Sequence, residues 1–249
     1  ETSLGGADVL GLGDLQLSVS KVYVKFNTTS VDGGRPLDWS VVAQTPISLT
    51  SNDKFIVGGT LKLNAFGFVR ATAGFEFVSK TVDVDVNGDG QYDVADGDLD
   101  NAGLITLLLH VTDFFVGDPE AGVGFELKNG SLAVAIITPQ DPDDDRTYLA
   151  ISSSLGGANL LGIPDLIVTA NGLSLEINQA FSDSDPDIVA LDWSTQVGNY
   201  DDDKTSFTPE TIALGSSPAI TINFSGELLQ VSGDMFLKID DYVFAKGKF

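Results

Sequence analysis

Apolar and polar residues alternate with a period of two along most of this chain. Leu166, Val168 and Ala170 alternate with Ile167 and Thr169; after Asn171-Gly172, Leu173, Leu175 and Ile177 alternate with Ser174 and Glu176. A period of two puts one set of side chains on one face of a sheet. Asn-Gly accepts the positive φ of a type I′ turn, so this spacing predicts a hairpin. The same reading gives a hairpin about Asn129-Gly130, between Phe125, Leu127 and Leu132, Val134, Ile136. It gives another about Ser20-Lys21, between Leu15, Leu17, Val19 and Val22, Val24, Phe26. From Leu61 to Phe77 the alternation is long enough, at ~3.3 Å per residue, to require a bend at Gly67 or Gly74. Val41-Val42 and Ile47–Leu49 read as short strands, Leu104–Phe115 as a longer one, and residues 28–36, with Asp32-Gly33-Gly34, as a turn-rich loop. No 3.6-residue period is sustained and no capping box precedes one. The expectation is an all-β fold of antiparallel β-hairpins in elongated tandem repeats, arranged as a rolled sheet, a sandwich or a solenoid-like stack.

The repetition is explicit. Ser3–Asn27 (SLGGADVLGLGDLQLSVSKVYVKFN) recurs as Ser154–Asn178 (SLGGANLLGIPDLIVTANGLSLEIN), and Leu37-Asp38-Trp39-Ser40 recurs as Leu191-Asp192-Trp193-Ser194. The period is about 150 residues. Gly59-Thr60-Leu61 matches Gly226-Glu227-Leu228. Two units are expected, 1–153 and a shorter 154–249. Copy two is preceded by the strand-like Tyr148–Ile151 and copy one is not, which predicts a window of a longer array or a processed product. Trp39 and Trp193 read as core residues, with a sugar platform as the alternative.

Composition narrows the functional classes. Thirteen Lys and Arg stand against 36 Asp and Glu, a net charge of −23. Nucleic acid and anionic membrane surfaces are poor partners for such a chain, whereas cations are good ones. There is no Cys and one His, His110, which excludes disulfides, thiolate metal sites and multi-histidine centres. Nothing at Glu1-Thr2-Ser3 resembles a signal peptide. The apolar run from Gly103 to Val111 is too short to span a bilayer. No motif selects a catalytic pair, so no catalytic residues and no enzymatic activity are expected.

One motif carries chemistry. Residues 83–101 contain DVNGDGQYDVAD, whose oxygen-bearing residues fall at the positions of a twelve-residue calcium loop. These are Asp85, Asn87 and Asp89 at positions 1, 3 and 5, Gln91 through its carbonyl at 7, Asp93 at 9 and Asp96 at 12, with Gly90 at the sharp turn at 6. Ca²⁺ takes six to eight oxygens, which explains alternate carboxylates around a Gly. Asp96 replaces the Glu of an EF-hand and makes bidentate binding harder. Asp83, Asp98 and Asp100 could supply or replace a ligand. The expected affinity is that of extracellular modules, ~10⁻⁴ to 10⁻³ M. The acidic stretches 141–145, 183–187 and 201–203 lack this spacing.

The loop resembles the calcium loop of dockerins and related bacterial extracellular repeats. The larger pattern resembles giant tandem-repeat bacterial surface proteins, the adhesin-like LEPR-XLL group. It is carried by that loop, by Phe114–Gly117, by GVGFELKNGSLAVAI at 122–136 and by RTYLAISSSLGGANLLGIPDL at 146–166. The resemblance implies a secreted or surface-displayed module, structural or adhesive, stiffened by calcium. Its partners would be neighbouring repeats or copies of itself, and polysaccharide or a cell surface. Unpaired sheet edges are expected to join such modules end to end. A carbohydrate-binding β module is the alternative, with Tyr23, Phe66 and Phe68 as the aromatic candidates.

Overall fold

The computed structural model describes residues 2–9, 14–30, 34–215 and 219–249. The repeat-matching Leu10 and Gly11, and the expected turn at Asp32-Gly33, lie outside them. The chain is all-β. Its first eight strands form an antiparallel meander: β1 Thr2–Val9, β2 Leu15–Phe26, β3 Asp53–Ala65, β4 Val69–Val84, β5 Leu99–Asp118, β6 Val123–Thr138, β7 Thr147–Leu161 and β8 Leu166–Phe181. The segment after β8 carries four short strands, β9 Val197–Tyr200, β10 Phe207–Pro209, β11 Ile212–Leu214 and β12 Ile220–Ile222. The chain then rejoins the sheet with β13 Leu228–Ile239, beside β8, and β14 Val243–Lys248. The sheet has 12 strands including β9 and β10, while β11 and β12 pair apart from it. The boundary between units at 153/154 falls inside β7, so the sheet runs through it without a break.

The three expected hairpin turns are not turns. β2, β6 and β8 each run straight through the position, with Lys21, Asn129 and Gly172 at φ of 53°, 57° and 57°. Each left-handed residue inserts one extra position and shifts the alternation by one. In β8, Leu166, Val168 and Ala170 and then Leu173, Leu175 and Ile177 therefore stay on one face. β5 makes the same shift at Thr112, which the β4 register skips between Thr72↔Asp113 and Ala73↔Val111. Where a shifted strand meets an unshifted one, at β2–β3, β4–β5 and β8–β13, it forms a β-bulge, whose extra residue bends and twists the strand, while β5 to β8 shift together and keep register. The true β3–β4 turn is at Phe66-Gly67, where both residues have positive φ (55° and 72°) and Phe68 N–H donates to the Ala65 carbonyl at 3.1 Å. Residues 41–42 and 47–49 form no strands.

The bulges also correct the repeat register. Gly59 lies opposite the β2 bulge and Gly233 opposite the β8 bulge. Gly59 is therefore the counterpart of Gly233, and Val57 of Val231, rather than Gly59 of Gly226. By this correspondence β7, β8, β13 and β14 reproduce β1, β2, β3 and β4.

The core occupies one face at one end of the sheet. There Val82 and Val84, Leu104, Ala135 and Ile137, and Tyr148 and Ala150 meet Leu191, Trp193, Val197, Ile212, Leu214 and Ile222 of the segment between β8 and β13. Trp193 is fully buried. Each large apolar side chain enclosed in this way contributes ~1.5–3 kcal/mol. β9 extends the cover by pairing with β4 (Asp83↔Gly198, Val84↔Val197) where β4 outruns β3.

The repeated Asn and Trp explain how the cover is fastened. Asn178 accepts from Trp193 Nε1 at 2.8 Å and donates to the carbonyls of Leu191 (2.8 Å) and Gly226 (2.7 Å). Asn27 accepts from Trp39 Nε1 at 3.1 Å and donates to the carbonyls of Leu37 (3.0 Å) and Thr50 (2.8 Å). In each copy the Asp before the Trp caps the following Ser (Asp38 with Ser40, Asp192 with Ser194). Both Trp residues thus act in the structural frame rather than as sugar platforms.

Candidate metal centre

The acidic loop 83–101 joins β4 to β5 beneath the edge of the cover. Its geometry is dictated by short side chains accepting from nearby amides, which Asp and Asn do readily in turns. Asp85, 2% exposed, accepts the N–H groups of Gly88 (2.9 Å) and Asp89 (3.2 Å) on one oxygen and that of Gly90 (2.8 Å) on the other. Position 1 therefore gathers the amides of positions 4, 5 and 6, and the backbone wraps about it. Gly88 and Gly90 take φ of 75° and 81° to make the wrap. Asn87 accepts from Asp89 N–H, and Asp89 accepts from Gln91 N–H.

Positions 3, 5 and 12 come together. Asn87 Nδ2 lies 3.2 Å from Asp89 Oδ2 and 3.0 Å from Asp96 Oδ2. An amide N–H₂ here carries the only partial positive charge between two carboxylates, the place a cation would take. Asp96 reaches it because Val94–Asp96 forms one 3₁₀ turn, closed by Gly97 at φ 88°. Asp93 at position 9 instead caps that turn, accepting from Ala95 N–H at 2.8 Å. Gln91, at position 7, is exposed. Asp98, buried like Asp85, receives Val86 N–H (2.8 Å) and Asp93 N–H (2.9 Å). Among the described residues no three His, Cys, Asp or Glu side chains stand in metal-holding geometry. The convergence seen includes the Asn87 amide, whose oxygen would face a cation after rotation of the side chain.

Residues from both sides of the unit boundary fasten this loop, and nothing in the spacing of the calcium motif pointed to them. Gln196 takes Asp85 N–H on its carbonyl and donates its side-chain amide to the Val86 carbonyl. Asp83 receives Asn101 N–H (2.7 Å) and Tyr200 N–H (2.8 Å), and burial pushes its carboxyl above the usual range. Lys204 pairs with Asp100 and sits 4.2 Å over the Tyr92 ring. The ammonium is held above its ordinary range chiefly by its hydrogen bond to Asp100. Tyr92, Tyr200 and Phe207 stack edge to face at 5.4 and 4.9 Å. The buried Tyr200 hydroxyl lies against Asp98, and burial first, then the Asp98 and Asp85 carboxylates, push it far up. Arg146 donates to the Gly97 carbonyl at 2.7 Å while clasped by Asp144.

The other acidic stretches are occupied as turn caps. Asp145 receives the hydroxyls of Ser182 and Ser184 and the amides of Asp183 and Ser184, which holds its carboxyl below the usual range. It thereby joins the 141–145 turn to the 183–187 loop. Asp201 caps Thr205 and Ser206. Of the aromatic candidates, Phe66 and Phe68 are exposed at the β3–β4 turn, lining an open cleft of about 610 Å³ with Val123. Tyr23 is not with them: it stands over Gly58 and donates to Glu76 at 2.5 Å. No helix among the described residues is long and apolar enough to cross a membrane. No family model, curated protein or solved structure significantly matches the chain.

Proposed function

We propose that this chain is a non-enzymatic, calcium-stabilised repeat module, structural or adhesive, of an extracellular filament, matrix or cell-surface protein. The observation that carries the reading is the loop 83–101. Positions 3, 5 and 12 converge, position 1 organises the turn, and the loop is tied to Gln196 through the Val86 carbonyl and to Tyr200 and Lys204 through the Asp83 and Asp100 carboxylates. Asp85, Asn87, Asp89 and Asp96 would hold the ion, with Asp93 and the Gln91 carbonyl completing the shell. Ca²⁺ there neutralises carboxylates that otherwise repel one another, and so tightens both the loop and the cover. Neighbouring repeats or further copies are the expected partners, and nucleic acid is not among them.

Thermal unfolding in 10 mM Ca²⁺ and in EDTA tests this. With a Kd of ~10⁻⁴ M, linkage gives ~2.7 kcal/mol, or ~5–11 °C in Tm for a chain of this size. Amide exchange across 196–207 should slow with the metal, and Asp85→Ala should abolish both effects. Equal melting in the two buffers, with no calcium heat in titration, would remove calcium from the function. Exposed Phe66 and Phe68 favour a second reading, a polysaccharide contact at the β3–β4 turn. Retention on insoluble polysaccharide that is lost in Phe66→Ala would select it.

A further inference from the structure

One face of the sheet is left bare by this chain. The register runs Val24, Val57, Phe77, Leu107, Val134 and Ile151 across six strands in one row. The rows on either side continue in the same character, and the shifts at Lys21, Thr112, Asn129 and Gly172 keep them on that side along the strands. No Asp, Glu, Lys, Arg or His stands in the rows through Phe55, Val57, Phe75, Leu61 or Ala71 from β3 to β8. The core cluster takes no side chain from these rows, because the cover lies on the opposite face. Ile105, Val231 and Leu229 are 41%, 57% and 69% exposed.

We propose that this face is a self-association surface, on which two copies of the chain pack sheet against sheet about a two-fold axis. Three observations select a second copy. The first is area. The chain exposes 14277 Å², whereas a folded monomer of 26.2 kDa is expected to expose ~10,600 Å². A stable interface needs only ~800 Å² from each partner, and monomers rarely expose apolar patches beyond ~600 Å². The second is charge. At a net −23 two copies repel at long range, and this face brings no carboxylate against another. The third is topology. β1 is the counterpart of β7, whose partners are β6 and β8, and β14 is the counterpart of β4, whose partners are β3, β5 and β9. Joining β14 to β1 would therefore reproduce no strand pair found in the sheet. Face packing with an intersheet spacing of ~10 Å needs no such match. The inference rests on the assembly part of the function proposed above and is independent of calcium.

Sedimentation equilibrium of the full chain from ~1 to ~100 μM, in calcium and in EDTA, tests it, over a span that covers ordinary dimer affinities. Twice the chain mass of 26.2 kDa is expected in both buffers. Ile105→Glu and, separately, Val231→Glu place a carboxylate at exposed positions of the face. Each should raise the dimer Kd at least ~100-fold, because an unpaired charge is then buried at the interface, with far-UV circular dichroism unchanged and with Tm unchanged at dilutions where the parent is also monomeric. A single-chain mass throughout the range, or dimers that persist in both variants, overturns the proposal. Dimerisation that instead slows amide exchange in β1 and β14 assigns association to the edges; it overturns the face and leaves the assembly reading standing. Flotation of monomeric protein with neutral phosphatidylcholine vesicles, lost in Ile105→Glu, assigns the face to lipid and equally overturns it.

Discussion

Replacing Asn178 with Ala removes a single amide that satisfies three groups inside the molecule. Its two N–H bonds reach the carbonyls of Leu191 and Gly226, and its oxygen receives the Trp193 indole, all within 2.8 Å. Asn178 and Trp193 are both 0% exposed. Water cannot reach the Trp193 indole or the Leu191 carbonyl without opening the cover, whereas Gly226 is an exposed residue whose carbonyl solvent can re-satisfy. Each stranded group costs ~1–3 kcal/mol, so the two enclosed ones together cost ~4 kcal/mol. That corresponds to a Tm lower by ~8–16 °C. The repeat supplies an internal control. Asn27→Ala breaks the same three bonds, but Trp39 is half-buried and its bonds are only part-buried. Solvent can then re-satisfy them, and the loss should be ~1–2 kcal/mol. Urea unfolding followed by tryptophan emission reads both, with Trp39→Phe used to isolate the Trp193 signal. A loss below ~1.5 kcal/mol for Asn178→Ala, or equal losses at the two sites, would refute the view that burial, not the bond pattern, sets the strength of this clamp.

Gly198→Ala should open the β9–β10 pair, because the new Cβ would meet the Thr208 carbonyl oxygen at 2.1 Å; faster amide exchange across 196–210 and a loss of ~1–3 kcal/mol, typical of overpacking, are expected. Gly172→Val meets no neighbour within 4 Å but must hold φ near 57°. It should cost ~1–2 kcal/mol by urea unfolding, and Gly172→Asn less. Asp144 is held below the ordinary carboxylate value of 3.8 chiefly by its hydrogen bonds to Arg146. Its contribution is fully present above that value and is lost as pH falls through the lower folded one. Asp144→Asn should therefore be less stable than the parent at pH 6, with the difference shrinking as an acid titration of Tm passes below pH ~3.8.

The all-β class was legible because period-two alternation is written into nearly every strand. Hairpins at Asn129-Gly130 and Asn171-Gly172 were expected, and unbroken strands are found, for a physical reason. A type I′ turn and a bulge with a left-handed residue both need positive φ, and both interrupt the alternation. The apolar phase does not separate them: residues flanking a two-residue turn pair on one face, so the step from Ala170 to Leu173 suits a hairpin as well as a bulge. The partner strands decide, since β7 and β13 each pair with both halves of β8. The calcium motif revealed where its oxygens lie but not that Asp93 would cap the 3₁₀ turn. Nor could local spacing reveal Gln196, Tyr200 and Lys204, since contacts a hundred residues apart in sequence leave no periodic trace. The repeated Asn was visible as an identity between copies, but its role became clear only once Trp39 and Trp193 were seen above it.

The clasp between β9 and the 83–101 loop also has a mechanical meaning. Strand order follows chain order from β1 to β8, so tension applied between the two edges of the sheet pulls across the ladder bonds and peels strands one at a time. The clasp ties β9 directly back to β4, bypassing β5, β6, β7 and β8. Those four strands lie in a shunted loop of chain that carries no load until β9, Gln196 and Lys204 let go. The chain then holds a reserve of length behind a latch, and whatever tightens the acidic loop sets the force at which that reserve is released.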